Sequence, residues 1–158
     1  MKIGYKILVC FLLVIEIISL LFIKLQQNCI NTWKKTAEKN QGLFMLMNQW
    51  ARIKQEGNGL EAYFIKNNYK RIAVYGMSYV GVRFVKELKD SEVEIVYGID
   101  KNADNIHSEI KMVTMDDELL SVDAVIVTLL AEFDEVCSLL EKKVNCPIIA
   151  IEDIVNEI

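Results

Sequence analysis

From Tyr69 to Ile158 short apolar runs alternate with longer amphipathic segments, and this alternation restricts the fold more than any other feature of the chain. "RIAVYG" is a β-forming run closed by glycine, and "YVGVRFVKELKD" follows it with Val82, Val85 and Leu88 on one helical face. "EVEIVYGID" reads as a second strand ending in Asp100, "EIKMVTMDD" as a short third strand, and "DDELLSV" as a short helix entered through acidic caps. "DAVIVTLL", from Asp123 to Leu130, is the most hydrophobic strand. "EFDEVCSLLEKKV" is an amphipathic helix turning Phe133, Val136, Leu139 and Leu140 inward, and "PIIAIEDI" supplies a fifth strand. Strand and helix at this pitch mean an α/β fold, a parallel sheet with helices on both faces, whose doubly covered strands need no polar alternation. Right-handed crossovers then make 3-2-1-4-5 the natural order for about five strands.

The first strand-to-helix turn, "GMSYVG", departs by one residue from the GxGxxG pattern of Rossmann dinucleotide-binding domains, and the expected architecture is a compact Rossmann-like sheet. Gly76 stands where the tight turn needs it and Gly81 where helix and strand must touch. Ser78 replaces the glycine that lets backbone approach a pyrophosphate. Its side chain is small, and a phosphate still meets the N–H groups of Ser78, Tyr79 and Val80 at the start of a helix, where the dipole favours an anion. Asp100 follows Gly76 by 24 positions, near the spacing at which an acid takes ribose hydroxyls, although Lys101 beside it blurs a preference for NAD over NADP. With Thr128 at the end of the fourth strand, the expected cofactor-binding set is Gly76, Ser78, Tyr79, Val80, Gly81, Asp100, Lys101 and Thr128. The ligand is NAD(P) or a nucleotide-sugar. The rival reading is a turn kept only for folding.

No catalytic set stands out. Tyr97 and Lys101 have the four-residue spacing of a tyrosine–lysine pair, but such a pair must share a helical face to lower the tyrosine pKa, and Tyr97 ends a strand with Gly98 after it. His107, the single histidine, lies in a polar loop without a nucleophile at a motif spacing. The four cysteines, Cys10, Cys29, Cys137 and Cys146, show no CxxC spacing, so no zinc set and no metal is expected. They read as reduced thiols, with Cys137 and Cys146 in the core and Cys29 open to lipidation. A net charge of -4, without clustered Lys and Arg after residue 70, argues against nucleic acid.

The N-terminal part is of another kind. "KILVCFLLVIEIISLLFIK", from Lys6 to Lys24, holds one interior charge, Glu16. Its apolar stretch is at the short end of the roughly 17–25 residues that cross a bilayer. A cleaved signal peptide is the competing reading, but no small-x-small site follows. Lys24, Lys34, Lys35 and Lys39 outnumber Lys2 and Lys6, which places the C-terminal domain in the cytoplasm of a single-pass membrane protein. Glu16 at mid-membrane costs about 3 kcal/mol, so it is expected to be protonated or to face another helix. Residues 1–28 are thus an anchor and 29–68 a helical connector, with the Rossmann-like domain at 69–158. Within the connector Trp33, Ala37, Phe44, Met47, Trp50, Ala51 and Ile53 fall near helical spacing, against this domain or a twin chain, with the membrane surface as the alternative, and Gly42 predicts a break or a weakened helix. "QEGNG" ends it, and "LEAYFIKNNY" is a short helix closed by Asn67 and Asn68.

"IAVYGMSYVG", "VEIVYGIDKNAD" and "VDAVIVTLLAEFDEV" resemble the compact Rossmann-like domains of bacterial capsule and O-antigen biosynthesis proteins. They look like the small nucleotide-binding domain of membrane-bound nucleotide-sugar dehydratases and epimerases. The likeness runs from about Tyr69 to Ile158 and stops where the catalytic domain of those enzymes would start. It implies a module binding a nucleotide or nucleotide-sugar, accessory or regulatory in surface-polysaccharide synthesis, with the membrane and polysaccharide-synthesis membrane proteins as partners. A homo-oligomer is compatible with it. Two alternatives stand beside it: an NAD-dependent nucleotide-sugar oxidoreductase or epimerase completed by a partner subunit, and a nucleotide-sensing domain of a transport system.

Overall fold

A computed structural model describes the backbone from Lys2 onward and the side chains of residues 4, 8 and 11–158; Lys2, Lys6 and Cys10, on which parts of the reading above fall, lie outside the described side chains. The elements are α1 (Lys2–Gln55), α2 (Glu61–Lys66), β1 (Arg71–Tyr75), α3 (Tyr79–Leu88), β2 (Glu94–Ile99), β3 (Met112–Val113), β4 (Ala124–Val127), α4 (Phe133–Leu140), β5 (Ile148–Ala150) and α5 (Ile151–Glu157). The five strands form one parallel sheet in the order β3-β2-β1-β4-β5, as the alternation predicts.

The chain divides into two compact units, residues 1–41 and 42–158. In the first, α1 is long and apolar enough to cross a membrane. Every residue from Phe11 to Gln41 is exposed. In the second, side chains alternate between two cores, as period-2 strands require. Ile72, Val74, Ala124 and Ile126 face Leu46, Trp50 and Ile53 of α1, Leu60, Phe64 of α2, Phe84 and Leu88 of α3, and Ile151 and Ile154 of α5. Ala73, Tyr75, Val125 and Val127 face Val136 and Leu140 of α4 and Val122. Phe64 and Phe84 meet edge to face at 5.9 Å.

Several local expectations are corrected. Gly42 does not break α1, which runs on to Gln55. The helix ends instead at Gly57, with φ +82°, where Gly57 N–H donates to Lys54 O and Asn58 N–H to Ile53 O. These are the paired bonds of a Schellman cap. "DDELLSV" forms no helix: the Asp117 carboxylate accepts from Thr114 N (2.6 Å) and Thr114 Oγ1 (2.8 Å), and this local turn competes with helical bonds. The strand in "PIIAIEDI" stops at Ala150 and the rest opens α5, while the fourth strand stops at Val127. α3 buries Val80, Gly81, Phe84, Val85 and Leu88, leaving Val82 outward, and Leu139 of α4 is outward too. Cys137 and Cys146 are half-buried rather than core, and Cys29 is exposed.

Candidate functional site

β1 is the central strand, with β2 and β4 at its sides, so its carboxyl end is the switch point where open α/β sheets bind ligands. The chain leaves it through Gly76, whose φ of +93° is a left-handed value that side chains disfavour. A Cβ there would lie 2.8 Å from Leu129 Cγ and 3.1 Å from Thr128 Oγ1. The turn is fixed from both sides: Gly76 N–H donates to Ile99 O of β2 (2.9 Å), and the single hydroxyl hydrogen of Thr128 is shared between Gly76 O (2.5 Å) and Tyr75 O (3.1 Å).

α3 starts at Tyr79 behind Ser78, which is exposed and extended and makes no side-chain cap bond. The first intrahelical donor is Val82 N–H, to Ser78 O at 3.0 Å. The N–H groups of Ser78, Tyr79, Val80 and Gly81 therefore precede the helix's own ladder. Gly81 packs against the turn so closely that a Cβ on it would sit 2.0 Å from Gly76 O. Tyr79 projects into solvent, 87% exposed, and does not cover the helix start.

Asp100 directly follows β2 and reaches across to the turn, Oδ2 accepting from Met77 N (2.9 Å) and Oδ1 from Asn102 N (2.9 Å). One further acceptor direction on each oxygen remains. The structure thus brings Gly76, Ser78, Tyr79, Val80, Gly81 and Asp100 together around one turn. Lys101 is exposed just beyond it. Thr128 is buried, 1% exposed, and clamps the turn from beneath instead of lining an open crevice. Replacing it by valine keeps the shape and removes the donor to two carbonyls; unfolding free energy should fall by about 1–2 kcal/mol, read from thermal denaturation.

Leu129 lies over Gly76, and a reading that kept it inside a strand could not place it there. Carboxylates gather at this end of the sheet. Burial pushes the Tyr75 phenol above its usual range, and the charges of Asp100, Glu132 and Glu135 push it further. The donors that the turn presents are therefore backbone N–H groups more than side chains. Tyr97 is buried with its hydroxyl donating to Leu120 O at 2.8 Å, and burial raises its pKa, the opposite of what a catalytic tyrosine needs. His107 is exposed in a coil segment. No cluster of metal-ligating side chains occurs among the described residues.

No protein-family model, curated protein or solved structure matches this chain.

Proposed function

We propose that this chain is a membrane-anchored Rossmann-like module that takes the phosphates of a nucleotide or nucleotide-sugar at the β1–α3 turn and acts as an accessory or regulatory subunit in bacterial surface-polysaccharide synthesis. The observation that carries the nucleotide part is the start of α3 at the exposed Ser78 and Tyr79, next to the left-handed Gly76 at the sheet's switch point. Phosphate oxygens accept from Ser78, Tyr79 and Val80 N–H, the free Ser78 hydroxyl adds a donor, and Asp100 accepts from ribose hydroxyls while still holding Met77 N–H. The polysaccharide part rests on the sequence resemblance. Anchoring in the cell membrane with the domain in the cytoplasm, where nucleotides are, rests on the apolar stretch of α1 and the lysines that follow it.

Thermal unfolding of the full chain in detergent, with NAD, NADP, UDP-sugars and CoA added separately, tests this reading. At 100 times its dissociation constant a ligand adds about 2.7 kcal/mol, on the order of 10 °C for a unit of this size. Asp100→Asn should weaken a ribose-bearing ligand, whereas inorganic pyrophosphate should bind no more weakly than to the parent, since a negative charge beside the turn is removed. No shift with any ligand overturns the nucleotide proposal and leaves an anchored scaffold.

A further inference from the structure

We infer that Glu16–Asn40 of α1 pairs, parallel and in register, with the same segment of a second copy of this chain. Between positions 11 and 23 the polar side chains are Glu16 and Ser19. Both fall with Ile23 and Gln26 on one line of alternating three- and four-residue steps. The same steps continue without a break through Ile30, Trp33, Ala37 and Asn40. Beyond the membrane stretch Ile30, Trp33 and Ala37 are thus apolar at the a and d spacing of a left-handed coiled coil.

All of these side chains are exposed, Ile30 by 58% and Trp33 by 71%, so within its own unit the line has no cover. A polar group in hydrocarbon faces a helix partner. In a parallel pair like residues meet. Gln26 and Asn40 carry amides that pair with themselves, and small Ser19 and Ala37 let the backbones approach. Lys24, Lys35, Glu38 and Lys39 turn away from the line. Of the flanking positions, Lys34 comes opposite Cys29 of the twin, and Thr36 opposite Gln41, so no like charges face each other. Two copies anchored with one orientation can meet only in parallel. The pairing rests on the membrane-anchored part of the reading above and not on the nucleotide, so ligand titration and the experiment below fail separately.

Single cysteines introduced into a background with the four native cysteines changed to serine report the line directly, in membranes from cells making the full chain. Under mild oxidation Ile30→Cys, Trp33→Cys and Ala37→Cys should give a band of two chain masses, at least about fivefold more than Asn28→Cys and Lys35→Cys on the far side. Trp33→Glu should suppress the Ala37→Cys band. Labelled wild-type chain at low density in liposomes should bleach in two steps. Equal cross-linking at all positions, insensitivity to Trp33→Glu, or single-step bleaching overturns the pairing. A cross-linked band of another mass overturns it as well and assigns the line to a different membrane protein.

Discussion

Glu87→Ala is expected to lower the unfolding free energy of the 42–158 unit by about 3 kcal/mol, with a fall in melting temperature on the order of 10 °C. Three donors converge on this one carboxylate: Trp50 Nε1 at 2.9 Å, Leu60 N–H at 3.0 Å and Lys54 Nζ at 3.2 Å. Its side chain is only 10% exposed, and both Trp50 and Leu60 are buried. The substitution leaves two buried donors without acceptors, each costing about 1–3 kcal/mol, and the loss of Lys54, which is half exposed, adds little. Glu87→Gln keeps one acceptor oxygen and should lose roughly half as much. Thermal denaturation of the full chain in detergent, followed by near-ultraviolet circular dichroism, reads both. A loss below about 1 kcal/mol for Glu87→Ala would mean that water reaches Trp50 Nε1 and Leu60 N–H, and that the last turns of α1 are held by apolar contact alone.

That network also shows where the sequence stops being readable. A glutamate inside "VKEL" looks like one more solvated charge on an amphipathic helix, since nothing local tells it from Lys86 or Lys89. Its partners are 27 to 37 residues away, on the end of α1 and the start of α2. The sheet was readable because burial on both faces leaves a purely local mark, an unbroken apolar run between turn residues. Gly76, Gly81 and Asp100 were readable for a related reason, as spacing along one βαβ unit fixes their neighbours. What Asp100 does with its carboxylate was not, because the Met77 N–H that it accepts from carries no side-chain signature. Apolar runs next to helix caps misled in the other direction. "PIIAIEDI" is as hydrophobic as a strand, yet Glu152 and Asp153 are the first-turn acids of α5.

Gly81→Ala should be the most damaging single methyl in the domain. The added Cβ would sit 2.0 Å from Gly76 O, a backbone atom already held by Thr128 Oγ1 and unable to swing aside as a side-chain tip could. α3 must lift off the turn, which opens contacts of Phe84 and Val80 beneath it and pulls Met77 N–H from Asp100. We expect a loss of about 3 kcal/mol or more, the range of overpacking against rigid backbone, together with loss of any nucleotide-induced shift. Gly42→Ala is the opposing control. Its Cβ would meet only Leu130 Cδ2 at 3.6 Å, an ordinary contact, and alanine inside a helix should gain about 1 kcal/mol. The two melting temperatures, measured side by side on the full chain, should move in opposite directions. If Gly81→Ala melts like the parent, α3 does not rest on Gly76 O, and the phosphate turn inferred from that contact has no support.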